Sequence, residues 1–107
     1  MESNYKFVIT KIAADDIFEA EEYIKNVLLN NDSAVSLGEE IKEKIRKVCK
    51  LPMLNNDCKY YGIDDENYRY IKVKNYNFFY RVDKINKKIS FFRFLYSGKN
   101  INADTLI

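Results

Sequence analysis

The chain has 107 residues, of which 47% are hydrophobic and 32% charged, with a formal net charge of +2 and no histidine. That length predicts a single domain over residues 1–107, with one core and no room for a second. The lack of histidine excludes the usual general base near neutral pH, and with it serine–histidine and cysteine–histidine nucleophile pairs.

Residues 5–10, YKFVIT, alternate as a short strand does, with Phe7 and Ile9 on one face and Val8 on the other. Thr10 is placed to cap a helix. From residue 13 to about residue 30, apolar side chains at Ile17, Ala20, Ile24, Val27 and Leu28 keep helical spacing, with Asp15, Asp16 and Glu19 expected in the favourable first turns. The polar run NNDS at 30–33 interrupts the pattern, and Asp32 or Ser33 can cap a second helix. Ala34, Leu37, Ile41, Ile45 and Val48 form the stripe of that helix, which is stopped by Pro52. Two amphipathic helices joined by a short polar turn predict an antiparallel helical hairpin.

Residues 53–67 show no sustained period and read as a loop. From Tyr68 onward the period is two: residues 68–74, 76–83 and 88–96 predict three antiparallel strands in a meander, with Ile71 and Val73 facing opposite to Tyr70, Lys72 and Lys74. With the amino-terminal strand the sheet has about four strands, giving an α+β fold whose helical hairpin covers one face. Alternation fails in the last two strands. Phe78 beside Phe79 and Phe91 beside Phe92 put aromatics on both faces, so the second face needs a cover as well. Two covers are open: the chain's own loop or tail, or a partner.

Charge divides unevenly, with eight cations and eleven anions in residues 1–58 against ten cations and five anions in residues 59–107. The basic, aromatic half is therefore the expected binding half. Gly38, Gly62 and Gly98 stand alone and form no phosphate-binding loop. Cys49 and Cys58, without histidine, do not make a four-ligand zinc site; Cys49 at the end of a helical stripe reads as buried filler and Cys58 in a loop as an idle thiol, and neither metal nor cofactor is expected. No segment reaches the roughly 20 apolar residues of a membrane span, and no run has signal-peptide character, which makes a soluble cytoplasmic protein the expectation.

The order β-α-α-β-β-β, the segment YRYIKVKNYNFFYRVD and the closing ISFFRFLYSGKNI resemble the RelE/ParE superfamily, the toxins of bacterial type II toxin–antitoxin pairs. The resemblance implies a toxin neutralised by a cognate antitoxin whose carboxy-terminal segment wraps it, with DNA contacted only indirectly through that antitoxin. RelE-like members resemble ribosome-dependent messenger ribonucleases; ParE-like members share the fold and act on DNA gyrase by binding.

Residue by residue, the resemblance lies nearer the ParE-like side. RelE-like toxins carry an arginine after the tyrosine where this chain has Tyr76–Asn77, and another after the glycine–lysine pair where it has Gly98-Lys99-Asn100; a late tyrosine is missing from INADTLI. An asparagine offers no charge to a pentavalent phosphate, and one lost contact of this kind costs on the order of 10² to 10³ in rate. Were the chain a ribonuclease, Arg69, Lys72, Lys74 and Arg81 would be the residues left to do the chemistry. As a binding toxin, Arg69, Arg81, Arg93, Tyr96 and Lys99 are expected to form one basic patch for the target, and Phe79, Phe92 and Phe94 to meet the antitoxin. The competing expectation for the arginines is pairing with Asp83, Asp64 or Asp65. Many ParE-like members are basic where Asn100 stands, so this chain departs from them there.

Overall fold

A computed structural model of the protein describes residues 4–106. Its elements, in chain order, are β1 (Lys6–Ile9), α1 (Lys11–Glu22) continued by a π-helical turn (Tyr23–Val27), α2 (Asn31–Lys50), β2 (Asn56–Asp57), a 3₁₀ turn (Lys59–Tyr61), β3 (Tyr68–Val73), β4 (Tyr76–Asp83), β5 (Lys88–Tyr96) and a last short helix, α3 (Ala103–Leu106). The strands form one sheet in the order β1-β5-β4-β3-β2. β3, β4 and β5 make the expected meander, while β1 lies parallel to β5 at its outer edge.

Thr10 does cap α1: its Oγ1 accepts from the Ala13 N–H at 3.2 Å, and its own N–H donates to the Phe91 carbonyl, tying the helix start to β5. The cap of α2 is Asn30, not Asp32 or Ser33, because Asn30 Oδ1 accepts from the Ser33 N–H at 3.0 Å. The acidic residues of α1 also fall later than expected, since the helix begins at Lys11 and places Asp15 and Asp16 beyond its first turn.

The stripe of α2 is buried as its spacing requires, with Leu37, Ile41, Ile45 and Val48 all in the main core. They meet Ile71 and Val73 of β3, Phe78, Tyr80 and Val82 of β4, and Ile89, Phe91 and Phe94 of β5. In α1 the expected stripe holds only in part. Ala20 is buried and Ile17 and Ile24 pack at the core's edge, but Val27 and Leu28 are exposed at the hairpin tip. Three apolar residues in succession, Val27, Leu28 and Leu29, cannot share one helical face, and the π-helical turn swings them away from the sheet.

The second face of the sheet is covered by the chain itself. Cys58 and Ile63 from the segment after β2, and Leu106 of α3, close over Phe79 and Leu95 in a second core. Aromatic doublets follow from this double cover: Phe78 faces the helices and Phe79 faces the loop and tail. On β5 a bulge opposite Phe79 and Tyr80 shifts the register, so that Phe91 and Phe94 share the main core while Phe92 and Leu95 turn to the other. The segment expected to be loop thus contributes a two-residue edge strand and the lid of a core.

Candidate functional site

A hollow of about 690 Å³ lies where the helical hairpin tip leans over the β3–β4 turn. Tyr23, Ile24 and Leu28 line one wall, Asn30, Ser33 and Leu37 the floor near α2, and Lys74, Asn75, Tyr76 and Tyr96 the opposite wall. Tyr76 is held by stacking on Phe94, centroids 4.8 Å apart, and Tyr96 meets its edge at 5.9 Å. Burial and the neighbouring Tyr23 and Tyr96 hydroxyls push the Tyr76 phenol up, so it stays neutral at physiological pH. A smaller cleft continues past Tyr76 and Tyr96 to Lys99, Asp16 and Glu19. The larger hollow is mainly apolar and aromatic with Lys74 at its rim, and the smaller cleft adds Lys99 and the carboxylates of Asp16 and Glu19.

Among the described residues, two of the three non-glycine residues with positive φ, the third being Lys87 in the β4–β5 turn, lie here. Leu29 and Lys74, which flank the groove, have φ of 53° and 54°, in the left-handed region where only glycine sits freely. Leu29 is 82% exposed, so burial does not compensate that cost. Gly98 faces another constraint, since a Cβ there would come within 2.6 Å of the Tyr96 ring.

The expected basic patch is not one surface. Arg69 lies on β3, donating from Nε and Nη2 to the Asn55 carbonyl and from Nη1 to that of Glu66. Asn55 in turn donates to the Tyr80 hydroxyl, which donates to the Pro52 carbonyl at 2.7 Å; this network pins the segment after α2. Arg93 forks onto Asp16 and also holds the Thr105 carbonyl. Its carboxylate is none of the three expected from the sequence, and that hydrogen bond raises the Arg93 pKa further. Arg81 is exposed, but on the face opposite to Arg69, because its partner across β3 is Tyr68 while that of Arg69 is Tyr80. Only Tyr96 and Lys99 of the expected set stand together, at the smaller cleft.

The remaining ribonuclease candidates are also scattered. Lys72 is exposed opposite Asn77, and Lys74 sits at the groove. Asn77 itself is buried: its Nδ2 donates to the Tyr61 hydroxyl at 3.1 Å, while its Oδ1 is buried without a hydrogen-bond partner among the described residues. The three phenylalanines expected to meet an antitoxin need correction. Phe79 and Phe94 are sealed inside the two cores, and Phe92 is half-buried against Tyr68 at 5.7 Å, so two of the three rings present no outer surface. Phe79 is covered by the self-made lid, which does what a partner was one candidate to do, and Phe94 lies in the main core with the stripe of α2. Sequence patterning missed Tyr23, Leu28 and Leu29; the signal was the apolar triplet directly before a polar break.

The family described as ParE toxin of type II toxin–antitoxin systems, parDE, matches residues 7–101. The chain belongs to the ParE toxin family. The fold of this ParE-family toxin is similar to a solved chain of the chromosomal ParDE toxin–antitoxin system from P. aeruginosa, with a TM-score of 0.68 at 16% identity over 86% of this chain and 95% of that one. It is also similar to a chain of the toxin–antitoxin complex RelBE2 from Mycobacterium tuberculosis, with a TM-score of 0.60 at 12% identity over 92% of this chain and 98% of that one. No curated protein matches the sequence. Among the described residues no helix is long and apolar enough to cross a membrane.

Proposed function

We propose that this ParE-family toxin arrests growth by binding its target, with DNA gyrase as that target, and that a cognate antitoxin neutralises it in the cytoplasm. The observation that carries the reading is the aromatic groove between Leu28, Tyr76 and Tyr96. It is an apolar surface with strained backbone at its rim, suited to a peptide or protein partner rather than to proton transfer. Support also comes from the arginines: Arg69 and Arg93 spend their donors within the fold, and Asn77 is closed under Tyr61. Tyr96 and Lys99 are the target-binding residues this reading retains, with Arg81 as a separate exposed cation.

The test is induction of the toxin alone, then with the antitoxin encoded beside it. Growth arrest with loss of plasmid supercoiling, inhibition of purified gyrase, and rescue by the antitoxin are expected. Messenger cleavage in the ribosomal A site, abolished by Arg69→Ala, would replace this reading with a ribosome-dependent ribonuclease. Normal growth would leave a family member that binds its antitoxin without toxicity.

A further inference from the structure

We propose that the carboxy-terminal segment, residues 101–106, is a strap that opens on its own while the sheet and helical hairpin stay folded, and that the Asp16–Arg93 pair is its catch. The strap is one helical turn. Leu106 alone is fully inserted in the second core, while Ile101 and Ala103 rest on its rim. Asn102 starts the turn, its Oδ1 accepting from both the Thr105 N–H and hydroxyl. An isolated turn of this length has no stability of its own, so its position depends on what it touches.

Beyond these apolar contacts it is held by Arg93. The guanidinium donates Nη1 to the Thr105 carbonyl at 2.9 Å and is itself aimed by Asp16 through Nε and Nη2. The catch therefore sits between α1 and the strap, and its carboxylate lines the small cleft beside Lys99. Leu106 closes over Phe79 and Leu95 in one core with Cys58 and Ile63. Segments with few buried apolar contacts open at lower free energy than the sheet they cover.

The fold carries its own reporter. Cys58 is buried in the second core that Leu106 helps to close, Cys49 is buried in the main core, and both are free thiols. The experiment is pulsed alkylation of the intact protein with N-ethylmaleimide, the two thiols being resolved by peptide mass spectrometry. Cys58 is expected to react about tenfold or more faster than Cys49, as sub-global opening requires. Asn102→Ala, which touches only the strap, is expected to speed Cys58 about fivefold by loss of a cap and to leave Cys49 unchanged. Asp16→Asn is expected to act in the same direction. Equal rates at both thiols would overturn the proposal by showing only global unfolding. So would a fast Cys58 indifferent to Asn102→Ala, which would place the opening in residues 53–67.

Discussion

Asp16 on α1 and Arg93 on β5, 77 positions apart, form a two-pronged ion pair, Nε to Oδ2 at 2.8 Å and Nη2 to Oδ1 at 3.2 Å. Asp16 Oδ2 also accepts the Phe94 N–H at 3.0 Å. The place is set by topology. β1 pairs with β5 only as far as Phe91, so beyond it the β5 edge lacks a strand, and the carboxylate of α1 supplies the missing acceptor. The two side chains are 12% and 22% exposed, which makes the pair partly desolvated rather than a surface contact. Asp16→Ala is therefore expected to destabilise by about 2 kcal/mol, below the value for a fully buried charge left alone. Asp16→Asn should cost less, since its amide oxygen still accepts from Phe94. Urea unfolding at constant m-value reads both; a loss below about 0.5 kcal/mol in Asp16→Ala would contradict the assignment.

Asn77→Arg restores the residue that ribonucleases resembling this family carry, yet it is expected to damage the protein rather than awaken it. The position is buried beneath Tyr61, and a guanidinium there has no carboxylate partner among the residues named around it. An unpaired buried charge costs about 3 kcal/mol or more. Thermal unfolding should fall by many degrees, with no gain of messenger cleavage on ribosomes.

At the groove, Leu29→Gly is expected to stabilise the fold by about 0.5 to 1 kcal/mol, because φ of 53° costs glycine nothing and the exposed leucine loses no burial. The same substitution should weaken growth arrest if the strained leucine serves the partner. Leu28→Lys is exposed enough to change stability by less than about 0.5 kcal/mol and should reduce growth arrest on induction. Gly98→Ala, which forces the Tyr96 ring to move, should do likewise. Full toxicity in all three would remove the groove from the mechanism.

Alkaline pH is expected to unfold the protein through two buried acids. Burial pushes the Tyr80 phenol up from 10.0 to about 12 and the Cys58 thiol up from 9.0 to about 12. Each is neutral in the folded state at a pH where the unfolded chain has already released its proton. Their contribution is thus fully present below about pH 9 and is lost as pH rises through the window from 9 to 12, on the order of a few kcal/mol. Melting temperature against pH should show this decline, and Tyr80→Phe and Cys58→Ala should each flatten it relative to wild type.

Much of the architecture is local and was readable as such. The strand spans within residues 68–96, the α2 stripe from Leu37 to Val48 and the Thr10 cap each depend on neighbours a few residues away, and each stands where the spacing placed it. The family membership was legible in YRYIKVKNYNFFYRVD for the same reason: a run of side chains is a property of the chain. The groove was less so, since it joins Leu28 to Tyr76 and Tyr96 across three elements.

Sequence alone determined that both faces of the last two strands must be covered, because adjacent phenylalanines in a strand point opposite ways. Only the tertiary structure decided what covers them. Ile63 and Leu106, unremarkable in the sequence, close over Phe79 because the chain returns twice to that face. Likewise the number of arginines was given, but not their partners. Register and chain path brought Asp16 to Arg93 and the Asn55 carbonyl to Arg69, and put Arg81 and Arg69 on opposite faces, since a one-residue step along a strand moves a side chain to the other face.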